Sequence, residues 1–240
     1  MGERDLPEGD QSSPIPSEKA KQINDWAYPL GFWSAVIATL GGILYFLVIV
    51  GAMLGGRFVY PPAEPIQLFG GVITLLFCPL LVILLACVHS IAPNEKRVFS
   101  QVSLGFALLF ALAVSINRFT QLGVVRESIA SGNVQGVDWF LAYGNHSILF
   151  GLEMLGWAWF LGLAMLFAAP VFSRGRLQRW LRALMIVYGV VGLSSASAFL
   201  LASPLAVVGF IGWGLILYII TGLLALFFRR AQRALSSPIA

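Results

Sequence analysis

The chain has 240 residues, of which 58% are hydrophobic and only 11% are charged. Soluble domains carry about 25% charged residues, so this composition and a mean hydropathy of +0.85 exclude a water-soluble fold. The net charge of +4 comes from basic residues that stand between apolar runs, which is typical of topology signals and not of a nucleic-acid-binding tract. The sequence therefore predicts an integral membrane protein whose partner is the lipid bilayer.

The N-terminal segment is polar and contains three prolines within its first 25 residues. No short apolar core follows its positive charges directly, so it does not have the pattern of a signal peptide. Its composition is typical of disorder. We expect a disordered tail over residues 1–28, a transmembrane domain over residues 29–230 and a short tail over residues 231–240.

Six long apolar runs divide the rest of the chain, and each is long enough to cross a bilayer as a helix. The predicted fold class is therefore an all-α bundle of six transmembrane helices. Their predicted bounds are 32–55, 68–91, 98–122, 147–171, 183–202 and 205–228. In the first run, Ser34, Ala38 and Gly42 recur every four residues, a spacing that lets two helix backbones approach closely.

Two charges interrupt these apolar runs. Arg118 lies near the end of the third run, in FALLFALAVSINRFTQL, and Glu153 lies near the start of the fourth. A charge inside a bilayer is costly unless it is paired or hydrated. At 1.5 Å per residue, the two groups lie about 6 Å and about 9 Å from the nearer ends of their helices. Because the depths match, we expect one site.

Further polar and aromatic side chains surround this pair. Trp157 follows Glu153 by four residues and His146 precedes it by seven, while Asn117 and Gln121 lie one helical turn apart in the third run. These spacings place the side chains on shared or adjacent helix faces. The predicted ligand-binding residues are Asn117, Arg118, Gln121, His146, Glu153 and Trp157.

The connection over residues 123–146 is polar and contains the turn signal SGNVQG. Loops of this length are usually functional or disordered. Its segment VDWFLAY exposes three aromatic side chains at a cost unless they pack. We therefore expect this loop to roof the site, with Trp139, Phe140 and Tyr143 packed over its mouth.

Residues 172–184, FSRGRLQRWLRAL, have an amphipathic helical pattern. Leu177, Trp180 and Leu181 fall on one face, while Arg176 and Arg179 fall on the other. Such a segment is typical of a helix entry that lies on an anionic lipid leaflet.

The distribution of lysine and arginine predicts the orientation. With six spans, 12 of these residues fall at the two termini and in the second and fourth connections, and 3 fall on the other side. Because positive charge accumulates on the cytoplasmic side, we expect both termini in the cytoplasm and a location in the plasma (inner) membrane. The pair of charges then lies in the outer half of the bilayer.

Several kinds of chemistry have no support in the sequence. The only histidines, His89 and His146, belong to opposite sides of the predicted membrane, so they cannot form a two-histidine metal or haem site. His89 is interpreted as an interfacial hydrogen-bonding group. No lysine lies within a span, and no paired-carboxylate or phosphate-loop motif occurs. We predict no catalytic residue, no metal and no cofactor, which does not favour an enzyme.

The middle of the chain, residues 88–182, resembles a group of bacterial multi-pass membrane proteins of unknown function. The resemblance rests on VHSIAPNEKRVFSQVSLGFA, LEMLGWAWFLGLAMLFAAPVF and GRLQRWLRALMI. In that group an acidic residue followed by Leu-Gly-aromatic also occurs, and here this is Glu153-Met154-Leu155-Gly156-Trp157. The resemblance implies six helices and implies no activity.

Three hypotheses for the site stay open at this point. The first is a binding or sensing module with an outward-facing pocket for a small amphipathic or anionic ligand, including a lipid headgroup. The second is a small proton-coupled transporter in which Glu153 titrates against Arg118; the lack of an obvious internal repeat counts against it. The third is a structural membrane protein in which the Arg118–Glu153 pair only fixes helix register. The sequence does not determine the oligomeric state.

Overall fold

The computed structural model describes residues 16–55, 64–141 and 147–236 of the chain, and the side chains of residues 26–235 within them. Regular structure in these ranges is helical throughout. Six helices are long and apolar enough to cross a membrane, as predicted. They are α1 (Pro16–Leu54), α2 (Glu64–Ser90), α3 (Asn94–Ala130), α4 (Ile148–Val171), α5 (Gly175–Leu200) and α6 (Pro204–Ser236).

Helix α1 begins at Pro16, well before the predicted start of the first span. Residues 16–28 of the segment predicted as a disordered tail belong to this helix, whereas residues 1–15 lie outside the described part. The segment SEKAKQ that follows Pro16 consists largely of residues with high helix propensity, and proline is well suited to the first helical position. Polarity favoured a tail, but local propensity supports a helix that projects beyond the apolar run.

Helix α3 continues to Ala130, so residues 123–130 are helical instead of forming the predicted loop. The chain passes through a π-helical segment, Thr120–Val125, and then through one more α-helical turn. The helix ends just before Gly132, whose φ of +75° is the left-handed conformation that commonly follows a helix C-terminus. The position of this glycine, and not the onset of polarity, determines where α3 stops.

Consecutive helices pack against one another, and α6 returns to pack against α1. The α1–α6 contact uses the predicted small-residue stripe: Ser34 and Ala38 are buried, and Gly42 accommodates the ring of Tyr218. Beside this contact, the hydroxyl of Thr39 donates to that of Thr221 at 2.8 Å. The prediction of close helix approach at this stripe is confirmed.

The ring of helices has two ends. The α2–α3 and α4–α5 connections lie at one end, which we call the α4–α5 end. The end of α1, the start of α2, the end of α3, the start of α4 and the α5–α6 connection lie at the other end, which we call the α3–α4 end. At the α4–α5 end, the ring of His89 forms a 2.8 Å hydrogen bond with the hydroxyl of Ser100, in agreement with its interpretation as a hydrogen-bonding group.

Candidate functional site

Arg118 and Glu153 meet between α3 and α4, towards the α3–α4 end. The guanidinium Nη2 of Arg118 donates to Oε1 of Glu153, and only 11% and 14% of the two side chains are exposed. The structure thus brings together the two charges that the sequence placed at similar depth on consecutive helices. Mutual pairing offsets much of the cost of removing each charge from water.

Amide side chains extend the ion pair into a network. Asn117 Nδ2 donates to Glu153 Oε2 at 2.9 Å and to a main-chain carbonyl of α4 at 2.6 Å. On the other side, Arg118 Nη1 donates to Oε1 of Gln121 at 2.8 Å, and Gln121 Nε2 donates to Oε1 of Gln67 at 3.2 Å. The network therefore joins α2, α3 and α4. Gln67 is a member that the sequence analysis missed.

The ion pair borders a cavity of about 410 Å³. Arg118 and Glu153 are its only charged lining residues within the described part of the chain, and the remaining lining is largely apolar and aromatic. The lining residues come from α1, α2, α3, α4 and α6: Gly42, Tyr45, Phe46, Ile49, Met53, Ile73, Thr74, Phe77, Arg118, Phe150, Glu153, Trp157, Phe210, Trp213, Gly214 and Tyr218.

Three of the six predicted site residues, Arg118, Glu153 and Trp157, line this cavity. Asn117 is buried behind the ion pair. Gln121 faces a second cavity, of about 480 Å³, between α2 and the end of α3. His146 lies outside the described residues. The predicted set therefore shares the ion pair and Trp157 with the cavity lining and otherwise extends along α3, whereas the main cavity extends towards α1 and α6.

Aromatic rings form one wall of the cavity. The ring of Trp157 packs edge-on against Phe110 at 4.9 Å between centroids, and lies 6.0 Å from Phe77 and 6.2 Å from Trp213. Phe77 in turn packs edge-on against Tyr218 at 6.2 Å. Apart from Trp157, these rings were not among the predicted site residues. Aromatic side chains are common in apolar runs, so their sequence positions carried no signal for a shared cavity.

Each of the three π-helical segments in the described chain adjoins this site. Thr120–Val125 contains Gln121, Met154–Phe160 contains Trp157, and Gly212–Ile216 contains Trp213 and Gly214. Single π-helical turns inside α-helices occur frequently at functional sites. Their convergence here sets this region of the bundle apart from the regular α-helical packing elsewhere.

Trp213 places at the cavity a hydrogen-bond donor that is not used within the part of the chain that the structure describes. Only 9% of the residue is exposed, and its indole Nε1 has no acceptor among the described residues. A tryptophan indole can only donate, and most buried polar atoms in proteins have a hydrogen-bond partner. A ligand with an acceptor atom would supply one.

The segment that was expected to roof the site does not line the cavity within its described residues. Val137–Phe140 forms a 3₁₀ turn that packs against the start of α4, and 60% of Trp139 is exposed. The prediction of a packed aromatic roof is therefore wrong for Trp139, and Tyr143 lies outside the described residues. An exposed tryptophan beside a helix end is typical of a membrane–water interface.

Comparison of the chain with models of protein families, with curated proteins and with solved structures finds no match. The resemblance to bacterial multi-pass proteins therefore rests on the quoted residues alone.

Proposed function

We propose that the protein is a binding or sensing module that holds a small amphipathic ligand in the main cavity. The observation that carries this proposal is the buried Arg118–Glu153 pair at the edge of an otherwise largely apolar cavity of about 410 Å³. Ligand sites are typically mostly apolar, contain a few polar groups that orient the ligand, and measure about 300–1,000 Å³. An ion pair that served only helix packing would not need a cavity beside it.

The bilayer is the proposed source of the ligand. Helices α1 and α6 pack closely along Leu217–Ser236, but the part of α6 before Leu217 makes few contacts with α1. Residues of both helices line the cavity. There the lining residues Phe46, Met53 and Phe210 are each about half exposed. On a membrane-spanning bundle such a surface faces lipid, so an apolar chain can enter between the two helices.

The donors around the cavity indicate the chemistry of the ligand's polar end. The indole N–H of Trp213 has no protein acceptor in the described chain, and the hydroxyls of Tyr45 and Tyr218 belong to residues of the same lining. Arg118 adds positive charge, although Glu153 balances it. This set favours a head group rich in acceptor oxygens, such as a carboxylate, on an apolar chain.

A photoactivatable fatty acid tests the proposal, since it combines a carboxylate with an acyl chain. We expect it to cross-link to cavity-lining residues of the full chain in nanodiscs. Trp213→Phe keeps the ring and removes the donor, so it should weaken binding about fivefold, equivalent to one hydrogen bond of about 1 kcal/mol. It should not lower the stability of the ligand-free protein, because no acceptor among the described residues loses a partner.

Trp159→Phe is the matched control, because Trp159 is on the same π-helical segment as Trp157 but does not line the cavity. We expect this variant to bind the probe as the unmodified chain does. Cross-links that avoid the cavity, or equal binding by both phenylalanine variants, would show that the cavity is not the site.

A structural role for the ion pair is the second candidate. It is favoured by the amide network, in which Asn117 donates to Glu153, Gln121 accepts from Arg118, and Gln121 donates to Gln67, so that three helices are tied together. A buried polar network of this kind can specify helix register. Under this alternative, the fatty-acid probe would not bind and only stability would respond to changes at Arg118 and Glu153.

The proposed location is the plasma (inner) membrane with both termini in the cytoplasm. Six membrane-spanning helices bring the two termini to the same side, and 12 of the 15 lysines and arginines belong to that side. Lysine and arginine accumulate in cytoplasmic connections. The α3–α4 end, with the ion pair, then faces outward.

A further inference from the structure

A second polar feature lies at the α4–α5 end, remote from the main cavity. A cleft of about 390 Å³ opens between the start of α5 and the end of α6. We call it the basic cleft, and it is lined by Arg174, Gly175, Arg176, Leu177, Gln178, Phe227, Arg230 and Ala231. Neither the ion pair nor the proposed cavity ligand accounts for it.

The three arginines of the basic cleft concentrate positive charge that the described chain does not neutralise. Arg174, Arg176 and Arg230 are exposed, and no acidic residue lines the cleft. Within the described residues the ion pairs are Arg118–Glu153 and Arg126–Glu64, so none of these three arginines is in one. Guanidinium groups from two helices therefore face a common space that suits an anion.

The backbone around the cleft is held in place independently of any ligand. Gln178 Oε1 accepts hydrogen bonds from the main-chain N–H groups of Ser173 at 3.1 Å and Arg174 at 2.9 Å. Gly175 has a φ of +78°, which turns the chain between Arg174 and Arg176. Gln178 thus fixes the two residues that lead into the helix, and the guanidinium groups of Arg174 and Arg176 flank this fixed turn.

The remaining walls are apolar and lie at the level of the membrane surface. Leu177 and Phe227 are half-buried, and Phe227 is fixed by an edge-on contact with Phe172 at 5.4 Å between centroids. Trp180, one turn into α5, is 56% exposed. Tryptophan is enriched at the membrane–water interface, so its position places the cleft at headgroup depth.

From these observations we infer that the basic cleft binds the phosphate-bearing headgroup of an anionic phospholipid, with an acyl chain lying against Leu177 and Phe227. Arg174, Arg176 and Arg230 hold the phosphate. Basic pockets between transmembrane helices on the cytoplasmic side are suited to such headgroups. A general attraction of basic residues to the membrane would not require a cleft, so the two explanations differ in which arginines matter.

Native mass spectrometry of the full chain tests this difference, with phosphatidylglycerol and phosphatidylcholine offered in the same micelles. One variant combines Arg174→Gln, Arg176→Gln and Arg230→Gln. Its control combines Arg179→Gln, Arg182→Gln and Arg229→Gln, which removes the same charge from exposed arginines outside the cleft lining. We expect the unmodified chain and the control to retain phosphatidylglycerol preferentially, and the cleft variant to lose on the order of tenfold in retention.

Three results would overturn the inference. Equal losses in the two variants would mean that overall charge and not the cleft holds the lipid. An unmodified chain with no preference for phosphatidylglycerol would exclude the site whether or not the variants fold. Displacement of phosphatidylglycerol by inorganic phosphate would show that the cleft recognises free phosphate and not a lipid. None of these results bears on the main cavity, which the fatty-acid probe tests separately.

Discussion

Arg118→Leu, Glu153→Leu and the double replacement form a thermodynamic cycle that measures how far the two buried groups depend on each other. Removing one partner of a buried ion pair costs about 3–5 kcal/mol, because the other charge is left uncompensated. The two single variants should therefore each lower the free energy of unfolding by about that amount. Independent groups would give a double variant about 6–10 kcal/mol less stable than the unmodified chain.

The structure predicts a much smaller loss for the double variant. With both charges absent, Asn117 still donates to a main-chain carbonyl of α4, and Gln121 still donates to Gln67. One unmet acceptor of Gln121 remains, which costs about 1–3 kcal/mol. The double variant should therefore be at least as stable as either single variant, with a coupling energy of about 3 kcal/mol or more.

The two single losses should also differ in size. A carboxyl group that loses its partner can take up a proton and become neutral, whereas a guanidinium group stays charged. Glu153→Leu should accordingly destabilise the protein more than Arg118→Leu. Denaturant titration of the full chain in mixed micelles measures all four free energies.

The exposed pair Arg126–Glu64 provides a matched control cycle. Its Nε–Oε1 distance is 2.8 Å, but 54% and 63% of the two side chains are exposed, and exposed pairs typically contribute less than about 1 kcal/mol. Strong coupling for the buried pair and weak coupling for this one is the expected result. If the double replacement at Arg118 and Glu153 instead costs the sum of the single replacements, the two groups do not interact and the site geometry is wrong.

Two further predictions concern helix packing and topology. Gly42→Val should lower the free energy of unfolding by about 1–3 kcal/mol, because a Cβ at this position meets the ring of Tyr218. Gly41→Val should have little effect, because the space around a Cβ at that position is open. Thermal unfolding compares the two variants, and equal losses would contradict the α1–α6 contact. The bias of lysine and arginine predicts that both termini lie in the cytoplasm, and accessibility labelling of tags fused to each end measures this. Labelling of either tag from outside the cell would contradict the predicted orientation.

The pairing of Arg118 with Glu153 could be anticipated because a bilayer makes an isolated charge expensive, so two opposite charges at similar depth on consecutive helices have few other partners. Burial of Ser34, Ala38 and Gly42 could be anticipated for a related reason, since small side chains on one stripe permit close helix approach. Both inferences use constraints that act along one helix or between neighbouring ones.

Helix boundaries were less predictable, because polarity and helix propensity conflict at the ends of the spans. Residues 16–28 and 123–130 are polar enough to suggest a tail and a loop, yet they are helical in the structure. A helix can extend beyond the hydrocarbon wherever its backbone remains compatible, and for α3 the positive φ of Gly132 marks the end. Composition indicates where an apolar run ends, and this position differs from the residue at which the helix ends.

By itself, the sequence predicted an all-helical fold, six helices apolar enough to span a membrane and the pair of charges at the centre of the site, because hydropathy and the cost of a buried charge act on every segment locally. Only the tertiary structure decided where the cavity lies. It depends on the divergence of α1 from α6, helices at opposite ends of the chain, and on the π-helical turns that carry Trp157 and Trp213 to one wall. The basic cleft likewise forms only where the start of α5 meets the end of α6. Such spaces are properties of how helices pack together, and no periodicity within one helix encodes them.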